Sequence, residues 1–274
     1  MRRDSGHGKL YISDNDNAEI DVYDLSSLKL IGQITNGIDL PEGVAVDKNG
    51  SLYVTNHVVN GGPFGNVTVY PKGALEPSLT IPNISGPSDV AVSPKLEVYV
   101  LGEHGNVEEF APGATQPSAT LNDSNLASGF GVGLDRQGSV YAVGVNASYS
   151  PADVKYHGGA EPGKNLKLNG LVYPAGVLID NHHNIVVTDF ELPGISVYPR
   201  GSRSPSKQII LGASQNPDRS ALNREETYLY VPMPFENVVA VYGYPSGNFV
   251  KSFNGPNPSF SFLGGAAVWP PARN

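Results

Sequence analysis

The residues best suited to chemistry in this sequence are His57, His104 and Glu103, the last two adjacent in the chain. A His/Glu pair can serve as a general base when the fold holds it beside a substrate. The alternative is that all three are solvated residues at the tips of hairpins. The choice between these interpretations depends on the elements that position the residues.

Known catalytic and metal-binding motifs are absent from the sequence. The chain has no cysteine, which excludes disulfides, thiolate zinc sites and cysteine nucleophiles. It has no G-x-S-x-G, H-E-x-x-H or phosphate-binding loop. The acidic run SDNDNAEID (residues 13–21) fails the calcium-loop template, because Ala18 takes the place of the third ligand. We therefore predict a hairpin turn there.

Composition limits the partners and the location of the protein. The 274 residues carry a net charge of −8 and no cluster of Lys or Arg, which argues against nucleic acid or an anionic membrane as a partner. No apolar run approaches the roughly 20 residues of a membrane span. The first ten residues contain no apolar signal core. We expect an exported bacterial protein, periplasmic or extracellular, with its signal missing from this sequence; a cytoplasmic location is the alternative.

A repeated pattern organises the whole chain. The stretch LPEGVAVDKNGSLYVTN (residues 40–56) reads as turn, strand, turn, strand, and five relatives of it follow. Equivalent first-strand positions recur at intervals of 42 to 46 residues, at Gly43, Asp89, Gly131, Gly176, Ser220 and Gly265. A period of about 40–45 residues with four short strands per unit is typical of a β-propeller. The sequence therefore predicts an all-β fold with six blades of four antiparallel strands.

Aromatic residues and the chain ends support this architecture. Ten of the 14 tyrosines fall on two repeat positions, which favours packing between blades over a cofactor cage. The last first strand, GGAAVW, has no second strand after it, and the chain begins with a second strand that has no first. We predict that the C-terminal strand completes blade one, so that residues 1–274 form one domain.

The pattern P-x-G-V-A-V-D-x-x-G-x-L-Y-V followed by N-V-x-V-Y resembles the NHL-repeat propellers and covers the whole chain. It is also similar to the six-bladed group of gluconolactonases and streptogramin lyases. The lactonase resemblance implies a divalent cation, Ca²⁺ or Mg²⁺, at the central channel, with Glu42, Asp14, Asn56 and Asp189 as its ligands. Ser88, Phe130 and Ala175 depart from this pattern, and Arg219 would repel a cation. The E-x-H pattern of the lyases is missing.

In a propeller, the loops between blades and the loops between second and third strands share one face, where ligands bind; we call it the loop face. Loops on a rigid ring are where function usually resides. The residues that we expect to bind a ligand there are Glu42, Asn56, Phe130, Asp189 and Arg219. The alternative is that Glu42 pairs with Arg219, while Asp14, Asn56 and Asp189 cap turns.

Two functions from different classes follow. The first is a binding or scaffold propeller without a cofactor, whose loop face takes a small molecule, a glycan or a protein. The second is a metal-dependent lactonase-like hydrolase or lyase with His57 or His104 as its base. We favour the first, because the channel positions offer few metal ligands and no nucleophile signature is present.

Overall fold

The computed structural model describes residues 8–157, 162–192, 194–211, 216–255 and 262–272. His7, the first residue of the N-terminal segment that contains the predicted second strand of blade one, lies outside the described residues. The strands of blade one are β1 (Lys9–Asp14), β2 (Glu19–Asp24), β3 (Leu30–Ile34) and the C-terminal β24 (Leu263–Trp269). Those of blade two are β4 (Pro41–Val46), β5 (Leu52–Asn56), β6 (Gly65–Tyr70) and β7 (Leu79–Ile84). Those of blade three are β8 (Pro87–Val92), β9 (Val98–Gly102), β10 (Val107–Phe110) and β11 (Ala119–Leu121).

The other three blades repeat the arrangement. Blade four contains β12 (Ser128–Leu134), β13 (Val140–Val145), β14 (Pro151–Tyr156) and β15 (Lys164–Asn165). Blade five contains β16 (Pro174–Ile179), β17 (Ile185–Asp189), β18 (Gly194–Tyr198) and β19 (Lys207–Ile210). Blade six contains β20 (Ala221–Leu222), β21 (Tyr228–Met233), β22 (Val238–Gly243) and β23 (Phe249–Asn254). The described strands form six four-stranded antiparallel sheets, which confirms the predicted fold. Pro234–Glu236 form a single 3₁₀ turn.

In blades two, four and five, an aspartate builds the turn between the first and second strands. Asp135 Oδ1 accepts hydrogen bonds from the backbone N–H groups of Gln137 and Ser139, at 3.0 and 2.9 Å. Its other oxygen accepts a hydrogen bond from the Tyr141 hydroxyl at 3.1 Å. Asp47 in blade two makes the same two backbone contacts. The sequence D-x-x-G thus fixes the turn and ties it to the second strand.

The core lies between the blades. Each of the six apolar clusters draws on two neighbouring blades, as when Tyr11 and Val22 of blade one pack with Val54 and Tyr70 of blade two. The repeated aromatic residues of the second and third strands are buried in these clusters. The prediction that these rings pack between blades is confirmed.

The ring closes as predicted. Strand β24 pairs antiparallel with β1, with Lys9 opposite Trp269 and Tyr11 opposite Ala267. Closure of this kind gives strand partners to edges that would otherwise be open. Within the described ranges, no helix has the length and apolar character needed to cross a membrane.

Candidate functional site

Residues at the loop-face end of the channel lie on β-bulges. The pairing of first with second strands shifts register beside Glu42, Ser88, Phe130 and Ala175. A bulge re-aims a side chain out of the regular pleat. These four residues lie inside the first strands of their blades, whereas Arg219 precedes its strand, β20.

Arg219 closes this end of the channel. Its Nη2 lies 3.0 Å from Glu42 Oε2, and its Nε donates a hydrogen bond to the Phe130 carbonyl oxygen at 2.8 Å. Its Nη1 lies 3.2 Å from Asp218 Oδ1. Because Glu42, Phe130 and Arg219 belong to blades two, four and six, the guanidinium joins alternate blades across the axis. The side chain is only 10% exposed.

Close packing of the first strands holds Arg219 in place. A Cβ added to Gly176 in blade five would lie 3.0 Å from Arg219 Cα, so glycine allows this close approach. Likewise, a Cβ on Gly43 would lie 2.4 Å from the carboxylate of Asp89 in blade three. Asp89 Oδ2 accepts a hydrogen bond from the Val132 backbone N–H at 2.8 Å.

The carboxylates around Arg219 outnumber its single positive charge. Burial raises the pKa of Asp89 to about 7 and that of Asp218 to about 6, although the Arg219 charge lowers both. Burial alone would lower the pKa of Arg219, but Asp218, Glu42 and Asp89 hold it above its ordinary value. The guanidinium therefore stays charged, and the cluster is electrically negative whenever its carboxyl groups are ionised.

A chain of acidic and histidine side chains runs outward from Glu42. His57 Nδ1 lies 3.3 Å from Glu42 Oε1 but makes no hydrogen bond with any residue that the structure describes, and this nitrogen is buried. His57 Nε2 lies 3.7 Å from Glu103 Oε2, and His104 Nε2 lies 3.5 Å from Glu103 Oε1. The structure thus brings together the three predicted acid–base residues and connects them to Glu42.

Glycine at position 86 sets the place of Glu103. Gly86 has φ +46°, a backbone conformation that favours glycine. A Cβ there would lie 2.5 Å from Glu103 Cδ. The Gly86 carbonyl also accepts a hydrogen bond from the Glu103 N–H at 2.8 Å. The backbone before blade three therefore directs Glu103 toward His57 of blade two.

The remaining part of the loop face carries a continuous row of aromatic rings, here called the aromatic arc. Phe130 stacks on Tyr173 with ring centroids 4.9 Å apart. From Tyr173 the row continues at centroid distances of 6.2, 5.8 and 5.7 Å through Phe190, Phe235 and Phe262. It spans blades four, five, six and one, whereas the His/Glu chain occupies blades two and three. The arc and the chain flank the channel end closed by Arg219.

Asp189, Asn56 and Asp14 were predicted as site residues, but their side chains cap turns instead. Asp189 accepts backbone hydrogen bonds from Val172 at 2.7 Å and Tyr173 at 2.9 Å, which positions the Tyr173 ring. Asn56 accepts one from Asp39 N–H at 2.9 Å and donates to Asn66 Oδ1 at 2.7 Å.

Asp14 lies elsewhere, in blade one. It accepts hydrogen bonds from Asn17, and it belongs to a buried group with Glu19 and Asp21. Among the described residues, that group is the one set of three acidic or histidine side chains with ligand atoms all within 4.8 Å of one another. Glu42 and Asp189 are not in it, so the structure does not assemble the predicted metal-ligand set.

Comparisons with known proteins agree with the fold. Residues 23–58 match the family model "Strictosidine synthase-like, N-terminal". A chain of the crystal structure of a nidogen/laminin complex is 16% identical over 95% of this chain and 98% of that one, with a TM-score of 0.78. A protein of unknown function from Bacteroides caccae is 10% identical over 98% and 100%, with a TM-score of 0.71. No curated protein matches the sequence. The resemblance to NHL-type six-bladed propellers is thus confirmed as a likeness of fold.

Proposed function

We propose that the protein is a binding propeller whose loop face takes a small molecule or glycan that has a ring and several hydrogen-bond donors. The observation that carries this proposal is the aromatic arc beside the carboxylates of Glu42 and Glu103. Aromatic side chains contribute most of the energy at many binding surfaces, and carboxylates accept hydrogen bonds from ligand hydroxyl groups.

The exposure of the arc supports a role in binding. Phe235 is 48% exposed, and Phe130, Tyr173, Phe190 and Phe262 are each partly exposed. Five neighbouring rings that stay accessible form an apolar patch next to polar groups, and such patches mark interaction sites. The Glu42–Arg219 pair and the bulges make the floor rigid, which reduces the ordering cost of binding.

A matched pair of probes tests the proposal. Phenyl β-D-glucopyranoside offers a ring and hydroxyl donors, whereas phenyl β-D-glucuronide adds a carboxylate that Glu42 and Glu103 would repel. We expect the glucoside to bind more tightly by calorimetry. Phe235→Ala should weaken binding about tenfold, a loss of about 1.4 kcal/mol. Phe249→Ala, at a residue 60% exposed on the outer strand β23, should leave binding unchanged.

Other results would overturn this proposal. Equal binding of the two probes would remove the role of the carboxylates, and equal loss in Phe235→Ala and Phe249→Ala would remove the role of the arc. If neither probe binds while a protein partner does, the small-molecule proposal fails and a scaffold role replaces it. The likeness of fold to a chain of a nidogen/laminin complex makes that second outcome worth testing.

Acid–base catalysis is a second candidate, favoured by the position of His57 between two carboxylates. In this candidate, His57 Nε2, which lies 3.7 Å from Glu103 Oε2, would exchange a proton with a substrate. A lactone screen with wild type and His57→Gln tests it: turnover by the wild type that is lost in His57→Gln would support catalysis. Turnover unaffected by His57→Gln, or none with any lactone, would contradict it.

A further inference from the structure

The central channel contains a cavity on the side away from the loop face. Its volume of about 430 Å³ lies within the range of pockets that hold small organic ligands. Arg219 and Asp89 line its inner end, and the turns between first and second strands surround its mouth, together with Pro270, Pro271 and Ala272. The cavity therefore opens on the face opposite the aromatic arc.

The middle of this cavity is apolar. All six blades contribute Val, Leu, Ile, Ala and Gly residues to its wall, at positions 44–46, 90–92, 132–134, 176–179, 221–222 and 266–268. Charged residues line only the two ends. A ligand that fills the middle would therefore bury apolar surface, which is the main driving force for such binding.

At the inner end, the positive charge of Arg219 is already paired within the protein, and the carboxyl groups beside it outnumber it. Arg219 contacts Glu42 and Asp218 on the far side of the closure, and both Asp89 oxygens accept backbone hydrogen bonds. A charged ligand group pushed to this depth would lose its hydration without a new counter-ion, which is costly. The chemistry of the cavity therefore favours an uncharged ligand over an anionic one.

Polar groups on the ligand would still find partners in the wall. The innermost strand of each blade is paired on one side only. Its other edge faces the channel, where no further strand pairs with it within the described ranges. These backbone edges supply donors and acceptors along an otherwise apolar wall, as in pockets where a few polar groups orient a mainly apolar ligand.

We propose that this cavity is a second binding site, separate from the loop face, for an uncharged small molecule with an apolar body and a few hydrogen-bonding groups. The proposal does not depend on the function proposed for the loop face.

Two fluorescent probes that differ by one charge test the chemistry. N-phenyl-1-naphthylamine is neutral, and anilinonaphthalene sulfonate has the same rings with a sulfonate. We expect the neutral probe to bind with 1:1 saturation and the sulfonate to bind at least about tenfold more weakly. The single tryptophan, Trp269, precedes Pro270 at the mouth, so the bound neutral probe should quench its emission by energy transfer.

Cavity-filling variants test the location. Ala45 and Ala91 are partly exposed residues of the wall on two different blades. Ala45→Phe or Ala91→Phe should weaken binding of the neutral probe at least about tenfold, while Tyr173→Ala on the loop face leaves it unchanged. Unchanged affinity in a filled variant with wild-type thermal stability would overturn the proposal, as would lost affinity in Tyr173→Ala. If neither filled variant folds, the wild-type titration decides: absent saturation or absent Trp269 quenching overturns it.

Discussion

Replacing Arg219 by methionine should show how much the Arg219 contacts at the loop-face end of the channel contribute to the free energy of unfolding. The change keeps an unbranched apolar stem but removes the charge that Glu42, Asp218 and Asp89 share, and it leaves the Phe130 carbonyl without its hydrogen bond. Removing one partner of a buried ion pair typically costs about 3–5 kcal/mol, because the remaining charge is buried without compensation. We expect a loss of this size at pH 8.

The loss should shrink on acidification. Burial already raises the pKa of Asp89 to about 7 and that of Asp218 to about 6, and without Arg219 both would rise further. A carboxyl group whose pKa is higher in the folded than in the unfolded protein binds its proton on folding. Its stabilising contribution is therefore present at low pH and lost as pH rises through the folded pKa. At pH 5 these groups are neutral in the variant, so we expect about half of the loss to disappear.

Urea unfolding followed by Trp269 fluorescence measures the loss of stability in Arg219→Met at pH 5 and at pH 8. The control is Arg200→Met, at an exposed residue, which should change stability by less than about 0.5 kcal/mol. Adding Glu42→Gln to Arg219→Met should cost less than Glu42→Gln alone, because the pair is already broken. A loss below about 1 kcal/mol at pH 8, the size of an exposed pair, would refute the reasoning, as would equal losses at both pH values.

Four further predictions follow from the described contacts. Tyr156→Phe should raise stability by about 1 kcal/mol, because the buried hydroxyl of Tyr156 has no hydrogen-bond partner among the described residues. Tyr198 occupies the same repeat position, and its hydroxyl donates a hydrogen bond to the Asn169 carbonyl at 2.8 Å, so Tyr198→Phe should lower stability by about 1 kcal/mol. Burial, opposed by a Gln33 hydrogen bond, raises the pKa of Asp21 to about 7, so this group alone should lower wild-type stability between about pH 4 and 7 by up to about 1.4 kcal/mol per pH unit, and Asp21→Asn should reduce the slope by that amount. Deleting residues 263–274, which removes β24, should prevent cooperative unfolding in urea. Calcium and magnesium should leave the melting temperature within about 1 °C of that in chelator, because Arg219 occupies the centre of the loop face.

Each of these four predictions would be contradicted by a specific result. A stability loss in Tyr156→Phe equal to that in Tyr198→Phe would show that the Tyr156 hydroxyl has a partner. A slope retained in Asp21→Asn would assign it to other carboxyl groups. A cooperative transition after the deletion would mean that blade one is stable without β24. A clear rise in melting temperature with one cation, lost in Glu42→Gln, would restore the metal-dependent alternative.

The fold could be predicted because the repeats share a common sequence pattern of strands and turns. The D-x-x-G turns of blades two and four, the alternating strands and the aromatic residues on two repeat positions recur often enough to define the period, and the split repeat reveals the closure. Blade four shows where this fails. The segment NLKL at residues 165–168 has the pattern of its fourth strand, but β15 covers Lys164–Asn165. An outer strand pairs on one side only, so its extent depends less on sequence pattern.

The candidate site could be predicted in part. Repeat alignment placed Glu42 and Arg219 at the channel, because equivalent positions meet at the axis. It also placed His57 and His104 on the loop face of adjacent blades, with Glu103 next to His104 in the chain, but the approach of His57 to Glu103 came from the structure. The aromatic arc was missed, since Tyr173, Phe235 and Phe262 lie in loops outside the repeated pattern. Phe190 directly follows Asp189 at a strand end, which was a usable signal. Asp89, which lines the channel, could also have been recognised from the sequence, because it stands where four of the six repeats have glycine.

The bulges explain why the roles of individual residues could not be predicted. Asp14, Asn56 and Asp189 end second strands at equivalent positions, so the sequence could not distinguish a metal ligand from a turn cap. Only the register shifts beside Glu42 and Phe130 direct those residues to the axis. Whether these residues bind a ligand stays a prediction.

Fluorine NMR of protein labelled with 4-fluorophenylalanine tests ligand binding at the aromatic arc most directly. The chain has nine phenylalanines, of which Phe130, Phe190, Phe235 and Phe262 lie in the arc, while Phe110 is buried in blade three and Phe249 lies on an outer strand. Titration with phenyl β-D-glucopyranoside should shift the four arc resonances together and leave those of Phe110 and Phe249 in place. Saturable binding that shifts the Phe249 resonance, with the four arc resonances unmoved, would contradict the proposed site.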